Sequence, residues 1–129
     1  MLGELVRQAQ AIGVTREPEM LRAALLMRER LGPTTVGRGV AVPNARSLLV
    51  SRPLLLVGRS RGGVDWGAEG GAPVHVVLLV ISPALTSAPC HVGAVARLVE
   101  AARSARACQR LIESDSPAEV AELLGGAPR

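Results

Sequence analysis

The spacing of apolar residues predicts two helices in the first part of the chain. The first helical stripe, which Gly13 closes, consists of Leu2, Leu5, Val6, Ala9 and Ile12. Thr15 can cap a second helix, which ends at Gly32-Pro33. The apolar face of this second helix consists of Met20, Leu21, Ala24, Leu25 and Met27. Both segments are therefore predicted to be amphipathic helices.

Short apolar runs replace the helical spacing in the middle of the chain. Residues 40–42 form a short predicted strand that Pro43 stops, and residues 53–57 form a second one. Residues 74–81 are apolar almost throughout and predict a buried third strand. Between the second and third strands, residues 58–73 contain six glycines, so this stretch is predicted to be a hairpin or a long turn.

The last third of the chain returns to helical spacing after Ser82-Pro83. A terminal helix opens at Ser116-Pro117, with a capping-box acid at Glu119. Before it, one apolar stripe consists of Val92, Val95, Ala96, Val99 and Ala102. The 129 residues suffice for one domain and are too few for two ordinary ones, so we expect a single core. The alternation of strands and helices permits an α/β fold.

The composition excludes several classes of function. Aromatic residues make up 1% of the chain, with Trp66 alone, so there is no platform on which nucleic-acid bases could stack. All fifteen basic residues are arginines, and the absence of lysine excludes Schiff-base chemistry. One candidate basic stripe exists, at Arg103, Arg106 and Arg110, and such runs are usually solvated helix faces. We therefore expect no nucleic-acid partner.

Cysteine and histidine usage predicts neither a metal site nor a cofactor. Cys90 and Cys108 form no Cys-x-x-Cys motif, and Cys90 with His91 is too small a ligand set for zinc, so reduced thiols are expected. Residues 1–14 carry charges within their apolar pattern and do not form a signal peptide. The longest apolar run, residues 76–81, is far below the ~20 residues that span a bilayer. The sequence thus predicts a cytoplasmic protein without membrane insertion.

Two segments resemble one family of bacterial proteins. The stretch from Glu29 to Ala45 resembles the active-site signature of the mannitol/fructose/nitrogen-regulatory class of enzyme IIA domains of the phosphotransferase system. In that family the signature runs through a glycine-containing turn and an apolar strand to Pro-His, whereas here it ends in Pro43-Asn44. Residues 63–74 resemble the hairpin of the same domains, and the likeness extends from roughly Glu17 to the C-terminus.

The resemblance implies a fold and an association. It implies one three-layer α/β domain over residues 1–129, with a mixed β-sheet flanked by helices. Family members usually have an N-terminal strand before the first helix, and here Met1 already adjoins that helix. A missing strand would expose a sheet edge, and proteins rarely leave a long edge bare. We therefore expect that edge to be covered by a helix or paired with a second copy in a homodimer.

The resemblance also implies which residues form a site. Arg28 falls at the position of the arginine that helps to hold the phosphoryl group, Asn44 at that of the phosphorylated histidine, and His91 at that of the second histidine. An asparagine amide offers no basic nitrogen to a phosphoryl group. Arg28, Asn44 and His91 are therefore predicted to form an anion-binding pocket in a regulatory or binding module. Its implied partners are the phosphocarrier protein, a transporter or regulatory protein, or a phosphate-like anion.

Other interpretations of these residues stay open at this level. The chain could be an active phosphotransferase that uses His91 as acceptor, or an assembly domain of a transporter. Arg28 also suits the last turn of a helix, and Asn44 after Pro43 suits a turn. His75 matches no motif and is expected to be structural or exposed at a strand edge. Asp65 and Glu69 are paired carboxylates that turn chemistry explains better than catalysis.

Overall fold

The computed structural model describes residues 2–31, 34–35, 39–64, 66, 73–103, 106, 109–110 and 113. Outside these residues lie Asp65, Glu69, Cys108 and the helix that was predicted to open at Ser116-Pro117. The elements, in chain order, are α1 (Leu2–Ala11), α2 (Pro18–Leu31), β1 (Val40–Ala41), β2 (Asn44–Ser47), β3 (Leu54–Val64), β4 (Val74–Pro83) and α3 (Ala88–Ala101). No helix among these residues has both the length and the apolar character that crossing a membrane requires.

The sheet is mixed and is organised around β4. β1 and β2 both pair with β4 in parallel, in one continuous register that joins Val40 to Val76 and Asn44 to Val80. β3 pairs with β4 antiparallel. Pro43 separates β1 from β2 because proline has no N–H for the ladder, although its carbonyl still accepts a bond from the Val80 N–H at 3.0 Å. The strand predicted over residues 40–42 therefore resumes after Pro43, with Asn44 as the first residue of β2.

The hairpin between β3 and β4 differs from its prediction. Residues 58–64, which were predicted to belong to a turn, continue β3 as far as Val64. The register between β3 and β4 shifts between Arg59 and Val64, as expected where glycines allow a β-bulge. Gly63 has a φ of 81°, and a Cβ there would lie 2.7 Å from the Cβ of Pro73. Glycine content was a poor guide to the strand end because the bulge needs glycine while the strand continues.

Two hydrophobic clusters lie on the two faces of the sheet and make the domain three-layered. The cluster on the side of α1 and α2 takes Val77, Leu79 and Ile81 from β4. The cluster on the side of α3 takes Val76, Leu78 and Val80, together with Val40 and Val42. The predicted three-layer α/β fold with a mixed sheet and flanking helices is thereby confirmed. The sequence of β4 is a nearly continuous apolar run because both faces of this strand are covered.

Some residues of the predicted helical stripes face solvent instead of the core. Met20 is 58% and Met27 57% exposed, while Leu21 and Leu25 of the same helix are buried. Positions i and i+4 share one helix face, so packing of Leu21 and Leu25 turns the methionines outward. In the same way Ile12, which follows the end of α1, is 46% exposed. In α3, Val92 is 62% exposed, and the buried residues are His91 and Leu98.

The outer side of β1 is paired with a segment of the chain itself. Thr35 forms an antiparallel bridge with Ala41, and the Val42 N–H donates to the Thr34 carbonyl at 3.0 Å. Glu29 at the end of α2 holds this segment, since its carboxylate accepts from the Thr34 N–H at 3.0 Å and from the Thr34 hydroxyl at 2.6 Å. The homodimer remains a prediction.

Candidate functional site

Asn44 lies on the face of the sheet that α3 covers. Alternate residues of a strand share one face, and Val40 and Val42 are buried under α3. The next residues in this alternation, Asn44 and Arg46, follow them along the same face. Asn44 is partly exposed and Arg46 is exposed, so the apolar cluster gives way to polar groups at the carboxyl end of the parallel strands. Ligand sites of α/β proteins commonly form at this end.

His91 comes from the first turns of α3. Ser87 caps the helix, and its hydroxyl accepts from the Cys90 N–H at 3.3 Å. The His91 N–H then donates to the Ser87 carbonyl at 3.1 Å, which sets the ring against the sheet. His91 is only 7% exposed, and Ser82, near the end of β4, is 5% exposed. The helix start thus places a buried imidazole between two strand ends.

Both ring nitrogens of His91 are hydrogen-bonded. Nδ1 lies 2.8 Å from the Ser82 Oγ, and Nε2 lies 3.1 Å from the Asn44 Oδ1. The Asn44 amide nitrogen donates to the Val42 carbonyl at 3.0 Å. That carbonyl can only accept, so the Asn44 amide must present its oxygen to His91. The proton of the neutral imidazole is therefore on Nε2, and the Ser82 hydroxyl donates to Nδ1.

Electrostatics also favour the neutral ring. Burial lowers the pKa of the His91 imidazole below its ordinary value of 6.5, and the positive charge of Arg46 lowers this pKa further. Arg46 is held beside the site because its Nη1 donates to the Thr86 carbonyl at 3.0 Å. A neutral ring whose Nε2 carries the proton and whose Nδ1 accepts from a hydroxyl has no unengaged lone pair. In this arrangement His91 therefore offers no free nitrogen lone pair for a reaction.

The lowered pKa of His91 predicts a pH-dependent stability. Between the folded pKa and 6.5 the unfolded chain binds more protons than the folded one. The stabilisation is therefore fully present above 6.5 and is lost as the pH falls toward the folded pKa. We expect the wild type to lose more unfolding free energy than His91→Gln between pH 7.5 and pH 5.5, in urea titrations followed by Trp66 fluorescence. Equal losses in the two proteins would contradict the assignment.

Of the three predicted site residues, the structure brings two together and places the third at the end of α2. Asn44 and His91 meet directly. Arg28 lies in the last turn of α2 with an exposed side chain. α2 packs on the face of the sheet opposite α3. Its role in an anion pocket stays a prediction.

Two residues of the site were missed by the sequence interpretation. Arg46 follows Asn44 at the two-residue spacing of a strand face, and this signal was available once β2 was recognised. Ser82 is the first polar residue after the apolar run of β4 and shares a face with Val80. Among the other candidates, His75 is half-buried, and its Nδ1 donates to the Ser60 carbonyl at 2.9 Å, which fits a structural role.

Comparison with known families and proteins identifies the family of this chain. The family model described as "Phosphoenolpyruvate-dependent sugar phosphotransferase system, EIIA 2" matches residues 1–126. The chain belongs to the EIIA 2 family. It is 31% identical to a nitrogen regulatory protein of Bradyrhizobium diazoefficiens over 104 residues. The aligned region covers 81% of this chain and 67% of that protein.

Other relatives of this EIIA 2 domain are longer or were solved with a partner. The fructose-specific EIIABC component of Bacillus subtilis is 26% identical over 124 residues, which is 96% of this chain and 19% of that protein. The chain thus spans about a fifth of the length of that relative. The complex of enzyme IIAMTL with phosphorylated enzyme IIBMTL from Escherichia coli matches with a TM-score of 0.78 and 25% identity, covering 98% of this chain and 85% of the matched chain.

Proposed function

We propose that this EIIA 2 domain is a regulatory or partner-binding module of the phosphotransferase system that is not phosphorylated at the family's acceptor position. The observation that carries the proposal is the hydrogen bond between the Asn44 Oδ1 and the His91 Nε2. Asn44 stands where the signature of the family ends in histidine, and an amide cannot accept a phosphoryl group as an imidazole does. The domain therefore presents one fixed, unphosphorylated surface.

The alternative acceptor, His91, is poorly suited to phosphotransfer. A phosphoryl acceptor must offer a lone pair to phosphorus. The Nε2 of His91 carries its proton toward Asn44, and the Nδ1 receives the Ser82 hydroxyl at 2.8 Å. Transfer to His91 would require breaking one of these buried hydrogen bonds and exposing a ring that is 7% accessible. This arrangement argues against an active phosphotransferase that uses His91.

The surface around the pair favours protein binding. Leu48 and Leu85 follow the paired ends of β2 and β4 and are 87% and 96% exposed, and Val92 beside His91 is 62% exposed. Exposed large apolar residues near one site, rimmed by polar groups such as Arg46, are typical of protein interfaces. The related IIAMTL forms a complex with phosphorylated IIBMTL. We infer that this end of the sheet binds a protein of the same system and that Arg46 is the cation of this binding surface.

Incubation with a phosphorylated phosphocarrier protein tests the proposal. We expect no acid-labile phosphate on the wild-type chain by intact mass spectrometry, because neither Asn44 nor His91 offers a nucleophilic nitrogen. The phosphocarrier in the same sample serves as the internal control, since its own phosphorylated form must be visible. Acid-labile phosphate mapped to His91 would overturn the proposal in favour of an active phosphotransferase.

A further inference from the structure

A pair of adjoining open pockets lies on the side of the sheet that α1 and α2 cover, opposite the side that α3 covers. The first has a volume of about 230 Å³, and its wall includes Leu2, Arg22, Leu26, Glu29, Val64 and Trp66. The second has a volume of about 360 Å³ and is lined by charged residues, Glu4, Arg7, Glu19 and Arg22. Both pockets also contain Gly3, so they share Gly3 and Arg22. We call the two pockets together the Arg22 groove.

Arg22 offers a cation at the point where the pockets join. Its guanidinium has no hydrogen bond or ion pair within the part of the chain that the structure describes. A Cβ at Gly3 would lie 3.2 Å from the Arg22 Nε, so the absence of a side chain at Gly3 lets the guanidinium lie against α1. The planar fork of an arginine is the side chain best matched to a carboxylate, because two parallel N–H bonds can form.

Glu29, the other charged residue of the smaller pocket, is already engaged. Its Oε2 accepts from the Trp66 Nε1–H at 2.8 Å and from the Thr34 N–H, and its Oε1 accepts from the Thr34 hydroxyl. These bonds hold the indole of Trp66 in place beside Leu2, Leu26 and Val64. The smaller pocket therefore has a fixed aromatic and aliphatic wall of the kind that takes the hydrocarbon part of a ligand.

The larger pocket carries charges of both signs. Glu4 and Glu19 face Arg7 and Arg22 around it, so its formal charge is balanced. A simple anion would gain from Arg7 and Arg22 but would be repelled by the carboxylates of Glu4 and Glu19. A small zwitterion fits better, because its carboxylate can bind Arg22 while its ammonium group binds Glu4 or Glu19. The larger pocket, at about 360 Å³, is near the small end of the range for ligand pockets, and the smaller one, at about 230 Å³, lies below it, which suits a molecule of amino-acid size and not a nucleotide.

We propose that the Arg22 groove binds a free apolar α-amino acid. The carboxylate of the ligand pairs with the Arg22 guanidinium, and its ammonium group pairs with the Glu4 and Glu19 carboxylates. Its aliphatic side chain packs against Trp66. This site is independent of the proposed function, since it lies across the sheet from Asn44 and His91 and uses none of their residues.

Trp66 makes the proposal directly testable, because it is the single aromatic residue of the chain and lines the groove. L-leucine, which does not absorb in the range used, should change Trp66 fluorescence saturably, with a dissociation constant on the order of 1 mM for so small a ligand. The Gly3 amide and the Arg22 Nε–H signals should shift in the NMR spectrum over the same concentration range. 4-Methylpentanoate, which lacks the ammonium group, should bind more weakly, and 3-methylbutylamine, which lacks the carboxylate, more weakly still.

Arg22→Ala and Arg16→Ala form a matched pair of variants. Both remove an exposed arginine, but Arg16 lines neither pocket. Arg22→Ala should weaken leucine binding on the order of 10-fold or more, the scale of a lost charge-assisted pair, while Arg16→Ala should bind as the wild type does. The proposal is overturned if leucine shifts neither fluorescence nor NMR signals, if 3-methylbutylamine binds as well as leucine, or if Arg22→Ala binds like the wild type.

Discussion

Asn44→His is expected to turn the domain into a phosphoryl acceptor. The substitution places a basic imidazole at the start of β2, on the face shared with Arg46 and beside His91. A partly exposed histidine there can present a lone pair to the phosphocarrier, and the Arg46 charge favours the transferred phosphoryl group. Labelling by the phosphorylated phosphocarrier should rise on the order of 10³-fold or more, since loss of a covalent nucleophile can cost about 10⁶ in rate.

Leu48→His is the matched control for this gain. It adds an imidazole four positions further along the chain, at a residue that is 87% exposed and outside the Asn44–His91 contact. Labelling of Asn44→His but not of Leu48→His would tie the chemistry to the Asn44 position. A folded Asn44→His variant that takes up no phosphate would mean that the surrounding residues no longer support transfer, and the domain would then share only the fold of its relatives.

Truncation of either central leucine of β4 should bring the domain close to unfolding. Leu78 and Leu79 are both 0% exposed and pack into opposite clusters, one under α3 and one under α1 and α2. Leu78→Ala and Leu79→Ala should each lower the unfolding free energy by about 2–5 kcal/mol. Small domains have only about 5–15 kcal/mol in total, so either loss is a large fraction.

Urea denaturation followed by far-ultraviolet circular dichroism measures both effects. Leu85→Ala provides the control, because Leu85 is 96% exposed and its truncation should change stability by less than about 0.5 kcal/mol. If Leu78→Ala left stability unchanged while Leu79→Ala did not, α3 would not form a true third layer on the sheet.

The candidate site shows where reasoning from sequence succeeds and where it stops. The resemblance paired Asn44 with His91 although they are 47 residues apart, and the structure joins them at 3.1 Å. Ser82 and Arg46 went unnoticed because a serine after a strand and an arginine in an exposed position are ordinary residues. Their significance depends on His91: the Ser82 hydroxyl bonds to the His91 Nδ1, and the Arg46 charge disfavours protonation of the His91 imidazole.

The sequence by itself determined the elements whose signal is local and strong. The apolar run of β4 required a strand covered on both faces, because no single layer could bury consecutive valines and leucines. The spacing of Leu21 and Leu25 required a helix with one buried face. These features follow from the periodicity of each element, so they were predictable without knowing any partner.

Only the tertiary structure decided the features that depend on pairing between distant segments. β2 exists because Asn44 to Ser47 find partners in β4, and the glycine-rich end of β3 stays in the sheet because the bulge lets it follow β4. The tautomer of His91 is likewise set by an amide from β2 and a hydroxyl from β4. Hydrogen bonds of this kind are made by groups that chain folding brings together, and the local sequence carries no record of which partner each will meet.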